Sequence, residues 1–310
     1  MNKISDTGKG ILFIILSALF FALMAAFVRL SGDIFFVQKC FFRNAVAFLI
    51  ALGGIFFDYR KNGKSALFIP KGALLFLILR SVAGSVGIFG NFYAVDHLVL
   101  SDASILNKMS PFFSILFSYS LIKEKIKPLP LAAIIIAFLG AMLVVKPGFN
   151  FSQTVPSLAG FVSGIGAGFA YSCVRKLGLM GCREKIVVLF FSGFSMLLCL
   201  PYMIFNFNPM SVQQWIFLIM AGLCAAGGQF SITAAYFYAP ASKISIYDYS
   251  QIIFSTLLGF FIFGMVPDFL SIAGYTIIIT MAAVNFIYNL KESSAAKDSA
   301  KKISAVSDKK

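Results

Sequence analysis

The chain has 310 residues, is 59% hydrophobic with mean hydropathy +0.90, and has only 12% charged residues. A soluble domain carries about 25% charged residues, so the composition excludes an ordinary soluble protein. The net charge of +14 does not point to nucleic acid, because most of the basic residues fall in short loops and the C-terminal tail, where topology signals and anionic headgroups explain them better.

Apolar stretches of about 20 residues recur along the chain, each long enough to cross a ~30 Å hydrocarbon core. They lack the alternating polarity of barrel strands. Lys3 and Lys9 precede a run from Gly10 to Leu30 that is too long for a signal-peptide core, so it reads as a retained first helix. The spacing predicts ten helices, over 10–30, 34–57, 72–95, 100–122, 128–146, 156–177, 185–206, 213–236, 242–264 and 269–290. Residues 291–310 are polar and rich in Lys, Ser and Ala, which predicts a disordered cytoplasmic tail. Cys40, Cys173, Cys182, Cys199 and Cys224 are scattered with no CxxC pair, so they read as packing residues and not as a disulfide framework or zinc site.

Orientation follows from the loops. One side of the predicted bundle holds 20 of the 26 basic residues, among them Arg60, Lys61, Lys123, Lys125, Arg183, Lys185 and the tail lysines. The opposite loops near 96–102, 206–214 and 267–268 hold none. Both termini are therefore expected on the cytoplasmic side of a plasma membrane, the bacterial inner membrane in a bacterium. An even number of spans is required, which ten satisfies.

An internal repeat is faint. Tyr93-Ala94 through Glu124 can be laid over Ala234-Ala235 through Met265 at a constant offset of 141 residues. Five spans per half is an odd number, so the halves must be inverted. The expected fold is an all-α membrane protein of ten transmembrane helices in two inverted five-helix repeats, residues 1–150 and 151–290, followed by the tail.

Four basic residues lie inside the apolar runs. Charge at a bilayer centre costs roughly 2.5–3.5 kcal/mol per residue on insertion scales. At 1.5 Å per residue Arg43 lies about 14 Å deep, and Arg80 and Lys108 about 12 Å deep. Lys39 is one turn from Arg43 on the same face, and shallow enough to snorkel. Asp248 is the one acid well inside a predicted helix, so the four cations cannot be neutralised pairwise. Under the offset of 141, Asp248 falls on Asn107 and Tyr249 on Lys108. Helix periodicity puts Asp248 and Tyr247 on one face with Gln251. The expected substrate-binding residues are Lys39, Arg43, Arg80, Lys108, Tyr247, Asp248, Tyr249 and Gln251. Asp248 has three open roles: holding a substrate amine, pairing with a cation, or carrying a coupling proton. Asn44, Tyr171 and Gln229 read as packing residues, Asn91 and Tyr93 as weaker candidates, and His97 as a solvated loop residue. The glycines of GxxxGxxxG at 160, 164 and 168 suit close helix packing. Pro111 is expected to kink the fourth helix beside Lys108.

These motifs resemble the EamA-type domain of the drug/metabolite transporter superfamily. Arg80 opens a glycine-rich helix, followed by Tyr93-Ala94, Asp102-Ala103, Ser110-Pro111, Lys123-Glu124, Gly140 and Lys146-Pro147; Ala239-Pro240-Ala241, Tyr249, Gln251, Gly264 and Gly274 follow in the second half. The chain departs from the pattern at Met265, where an acid is expected. The resemblance implies a transporter of small solutes, and Arg80 is frequent in the family whatever the cargo, so a structural role for it stays open. The expected function is secondary transport of an anionic or zwitterionic metabolite by alternating access. The alternatives are a channel or scaffold and, with one histidine and no HExxH, a membrane-embedded enzyme. No catalytic residue, cofactor, metal or nucleic-acid partner is expected. The partners are a small-molecule substrate and the lipid bilayer, and oligomeric state is left open.

Overall fold

The computed structural model describes residues 5–97, 100–145 and 154–307. Among them, ten helical segments are long and apolar enough to span a membrane, from Asp6–Leu30 to Phe269–Glu292. The protein is an all-α membrane protein. The first half contains α1 (Asp6–Leu30), α2 (Phe36–Asn62), α3 (Ala73–His97), α4 (Leu100–Asn107), α5 (Ser110–Ile122) and α6 (Pro128–Val145). The second contains α7 (Thr154–Leu179), α8 (Glu184–Phe205), α9 (Val212–Tyr238), α10 (Ala241–Ile244), α11 (Ser250–Phe263) and α12 (Phe269–Ser307).

The helix ends follow local chemistry. Ser5 caps α1 by accepting from the Gly8 N–H. Ser211 and Gln214 form a reciprocal capping box at α9, which satisfies two otherwise orphaned donors. α12 continues to Ser307, past the end of the span at Glu292, where composition predicts a disordered tail; Ala and Lys are good helix formers. The sequence expectation at Lys146-Pro147 lies outside the described residues.

Packing pairs the halves by a pseudo-two-fold exchange. α3 lies along α7 as α1 lies along α9; α5 meets α7 as α1 meets α11; α2 meets α9 as α3 meets α8. α2 with α8, and α6 with α12, pair directly across the axis. The last pairing is close because of two glycines. A Cβ on Gly140 would lie 2.9 Å from Ile277 Cγ2, and one on Gly274 would collide with the Gly140 carbonyl.

The fourth and ninth spans are broken, where periodicity predicts continuous helices. Pro111 has no N–H to give the residue four before it, and its ring crowds that carbonyl. α4 therefore stops at Asn107, and α5 restarts at Ser110. In the second half, Ser245–Tyr249 forms a 3-10 turn between α10 and α11, and the Ser250 hydroxyl donates to the Tyr247 carbonyl at 2.6 Å. No proline marks this second break. The two breaks sit at repeat-related positions and touch, since the Tyr249 hydroxyl donates to the Lys108 carbonyl at 3.2 Å. Irregular backbone at membrane depth is tolerated when protein satisfies it in this way.

The repeat register recurs at the far ends of these spans. Lys123 ends α5 in a left-handed conformation at φ 63°, and Gly264 ends α11 at φ 66°, again 141 residues on. Lys123 is the one non-glycine with positive φ among the described residues. α7 buttresses the first break through its glycine stripe. A Cβ on Gly164 would lie 2.6 Å from the Leu106 carbonyl, and one on Gly168 would lie 2.8 Å from the Ser110 carbonyl.

Candidate functional site

Between the halves lies a cavity of about 800 Å³. Arg43, Arg80, Lys108, Asp248 and Gln251 line its depth. Arg29, Gly32, Lys39, Phe263 and Met265 line its mouth, at helix ends on the face opposite the basic loops. Five basic residues and a single acid therefore line one space. Toward the basic face it is closed. The hydroxyls of Ser114 and Ser245 bond at 2.9 Å and those of Tyr236 and Ser245 at 3.1 Å, all fully buried. Farther on, Arg175 Nε donates to Glu124 Oε1 at 2.8 Å, and Arg175 Nη1 donates to the Phe237 carbonyl at 2.9 Å.

The two breaks build the polar centre. Lys108 Nζ donates to Asp248 Oδ2 at 3.0 Å and to Gln251 Oε1 at 2.7 Å. The one acid of the cavity is thus taken up by one of its cations. Asp248 and Gln251 share a face as expected, three residues apart across the junction of the 3-10 turn and α11.

The same turn corrects two expectations. At 120° per residue, Tyr247 is rotated away from Asp248 and Gln251, and its hydroxyl donates to the Ala282 carbonyl of α12 at 3.2 Å. Tyr249 is wholly buried against the first break. Neither lines the cavity; both hold the broken backbone in place.

Arg80 is 2% exposed. Its Nη2 donates to Gln229 Oε1 at 2.9 Å, and its guanidinium stacks 3.8 Å from the centroid of the Phe191 ring. Gly84, one turn along, makes the room: a Cβ there would collide with Arg80 Nη1 and approach Phe191 at 2.7 Å. Among the described residues no acid pairs with Arg80, and its Nε is unpartnered.

Arg43 has less. It is 8% exposed, its Nε is unpartnered, and no acid or hydrogen-bond acceptor among the described residues meets its guanidinium. The Phe21 ring centroid lies 6.0 Å away, at the limit of a cation–π contact. Lys39 is half-buried on the cavity wall nearer the mouth.

Several residues read from sequence as packing or weak candidates also line the cavity. Tyr171, Gln229 and Asn91 are among them. A lone polar residue in an apolar helix gives no sign of which way it faces until its neighbours are known. Asn44 does pack, donating to the Cys40 carbonyl at 2.9 Å. His97 is exposed, with Nδ1 2.9 Å from the Tyr93 carbonyl, and Tyr93 stays with it outside the cavity. Arg29, in the last turn of α1, stands at the mouth.

Comparison with known proteins agrees with this architecture. Residues 8–146 match the EamA-like transporter family. The chain is 30% identical over 273 residues to the pseudopaline exporter CntI of Pseudomonas aeruginosa, covering 87% of this chain and 93% of the relative. It is 28% identical over 299 residues to solute carrier family 35 member G1 of Homo sapiens, covering 88% and 77% respectively. A solved crystal structure superposes with a TM-score of 0.80 at 16% identity, over 92% of this chain and 99% of that one, a likeness of fold alone. These relatives mark a transporter and not an enzyme, and with the match across both halves to CntI the chain belongs to the EamA-like transporter family.

Proposed function

We propose that the protein is a secondary transporter that carries a small anionic or zwitterionic solute by alternating access, with Arg43 as the principal anion-binding group. The observation that supports this reading is the state of the cavity's charges. Asp248 compensates Lys108, Gln229 and Phe191 partly accommodate Arg80, and Arg43 is left facing open space. A guanidinium at that depth calls for water or an anion, and its planar fork matches carboxylate or phosphate.

In this reading the basic face is cytoplasmic, and the cavity opens to the other side. Arg43 and Arg80 take the solute's acidic group, while Lys108, Asp248 and Gln251 orient the remainder and Lys39 stands on the approach. Asp248 also serves as the coupling-proton site, because protonation would release Lys108 to the solute. One relative is named an exporter, which fits a small-metabolite cargo. The sealed basic end fits a carrier in one of its states better than an open channel.

Reconstituted protein and uptake of labelled glutamate, citrate and sugar phosphates test the reading. Arg43→Ala is expected to lower transport of the accepted anion at least tenfold while leaving thermal stability unchanged or raised. Transport at the wild-type rate would remove Arg43 from the site.

A further inference from the structure

The two ends of the transport path are built from equivalent parts with one substitution between them. At the basic face, Arg175 in the last turns of α7 pairs with Glu124, the residue after the left-handed end of α5. At the mouth, Arg29 in the last turn of α1 reaches Met265, the residue after the left-handed end of α11. α1 and α7 are the first helices of their halves, and Glu124 and Met265 are 141 residues apart, the register of the repeat. Arg29 therefore stands where an arginine binds a carboxylate at the other end of the same molecule. What it has instead is a thioether sulfur, 3.7 Å from Nη1, and the face of Phe263, with the guanidinium carbon 4.4 Å from the ring centroid. A thioether is a weak acceptor. Arg29 is exposed and lines the cavity mouth, whereas Arg175 and Glu124 are mostly buried.

We propose that Arg29 is an anion site at the mouth, where the solute's own carboxylate or phosphate takes the place that Glu124 occupies at the basic face. This rests on the anionic reading of the cargo. The consequence is an unequal pair of gates. The basic end closes on a protein acid, with or without cargo. The mouth lacks that acid, and its closure draws on the charge of the solute crossing between α1 and α11. A carrier without solute is accordingly expected to rest with the mouth open.

The test uses Ser255→Cys, on the cavity wall, as a reporter labelled by a membrane-impermeant maleimide in the full-length protein; the native cysteines are buried. Citrate is the probe anion, and its binding is read independently as a rise in melting temperature. In the parent, citrate is expected to slow labelling several-fold. With Arg29→Gln it should still raise the melting temperature but no longer slow labelling, and Arg29→Lys should restore part of the protection. Met265→Glu supplies the missing acid and should slow labelling several-fold with no citrate present, while Met265→Gln should not. Full protection in Arg29→Gln, or Met265→Glu labelling as fast as the parent, overturns the proposal while leaving the central Arg43 site standing. If citrate, glutamate and inorganic phosphate all fail to shift the melting temperature, the anionic reading falls and the ligand half of this proposal falls with it. The ligand-free Met265→Glu labelling then decides the gate by itself.

Discussion

Lys108 and Arg43 are both cations at membrane depth on the wall of one cavity, and they are held in opposite ways. Lys108 sits at a backbone break, takes an acid and an amide from the facing break, and gives its carbonyl to Tyr249. Arg43 lies within an unbroken helix and has no such partner among the described residues. A compensated charge fixes the position of its surroundings. An uncompensated one keeps its binding capacity for whatever enters. Arg80 is intermediate, held by an amide and an aromatic face but by no acid. The difference teaches that burial of charge alone does not mark a ligand site; what separates the two cations is where the available counter-charge has gone.

The comparison breaks most sharply at Asp248. Removing one partner of a buried ion pair leaves an uncompensated charge, with a penalty of about 3–5 kcal/mol. Asp248→Ala is expected to lower the melting temperature in detergent by many degrees. The double variant Lys108→Met with Asp248→Leu should recover most of the loss, since replacing both ions with apolar groups is often close to neutral. An Asp248→Ala protein as stable as wild type would mean that Lys108 is hydrated through the cavity and differs little from Arg43.

A smaller effect is expected at Arg80. Gln229→Ala deletes a buried acceptor from a charged donor, a bond of about 1.5–3 kcal/mol. If Phe191 stacking and cavity water suffice to hold the guanidinium, the melting temperature will not move. In that case Arg80 belongs with Arg43 among the available cations.

Much of this was legible in sequence, for physical reasons. Ten spans follow from bilayer thickness, and the four cations inside apolar runs and Asp248 stand out because charge is rare there. The constant offset of 141 put Lys108 opposite Tyr249, and the structure joins those two residues by a hydrogen bond. Pro111 signalled disturbance in the fourth span. The ninth span carries no such signal, so a periodic α-helix was the natural reading of 242–264, and it placed Tyr247 on the wrong face. Partner choice was beyond reach for a different reason. Whether Asp248 takes Lys108, Arg43 or Arg80 depends on angstrom-scale approach of separate helices, which a hydropathy pattern does not encode. Arg29 gives no signal in sequence, because cations at helix ends are ordinary; its interest lies in what Met265 fails to supply.

The finest test concerns the bond between the two breaks. Tyr249→Phe removes one hydroxyl and leaves the ring, so packing is retained and the Lys108 carbonyl loses its donor. Interhelical hydrogen bonds in membrane proteins average about 0.6 kcal/mol, and a shift of that size in chemical unfolding is expected. The larger consequence should be positional. Lys108 reaches Asp248 and Gln251 from a backbone that Tyr249 fixes from across the axis, so loosening that carbonyl should weaken the pair as well. Tyr249→Phe in combination with Asp248→Asn should then lose less than the sum of the two single changes. Strict additivity would show that the backbone bond and the ion pair are independent, and that Lys108 is held by its side chain alone.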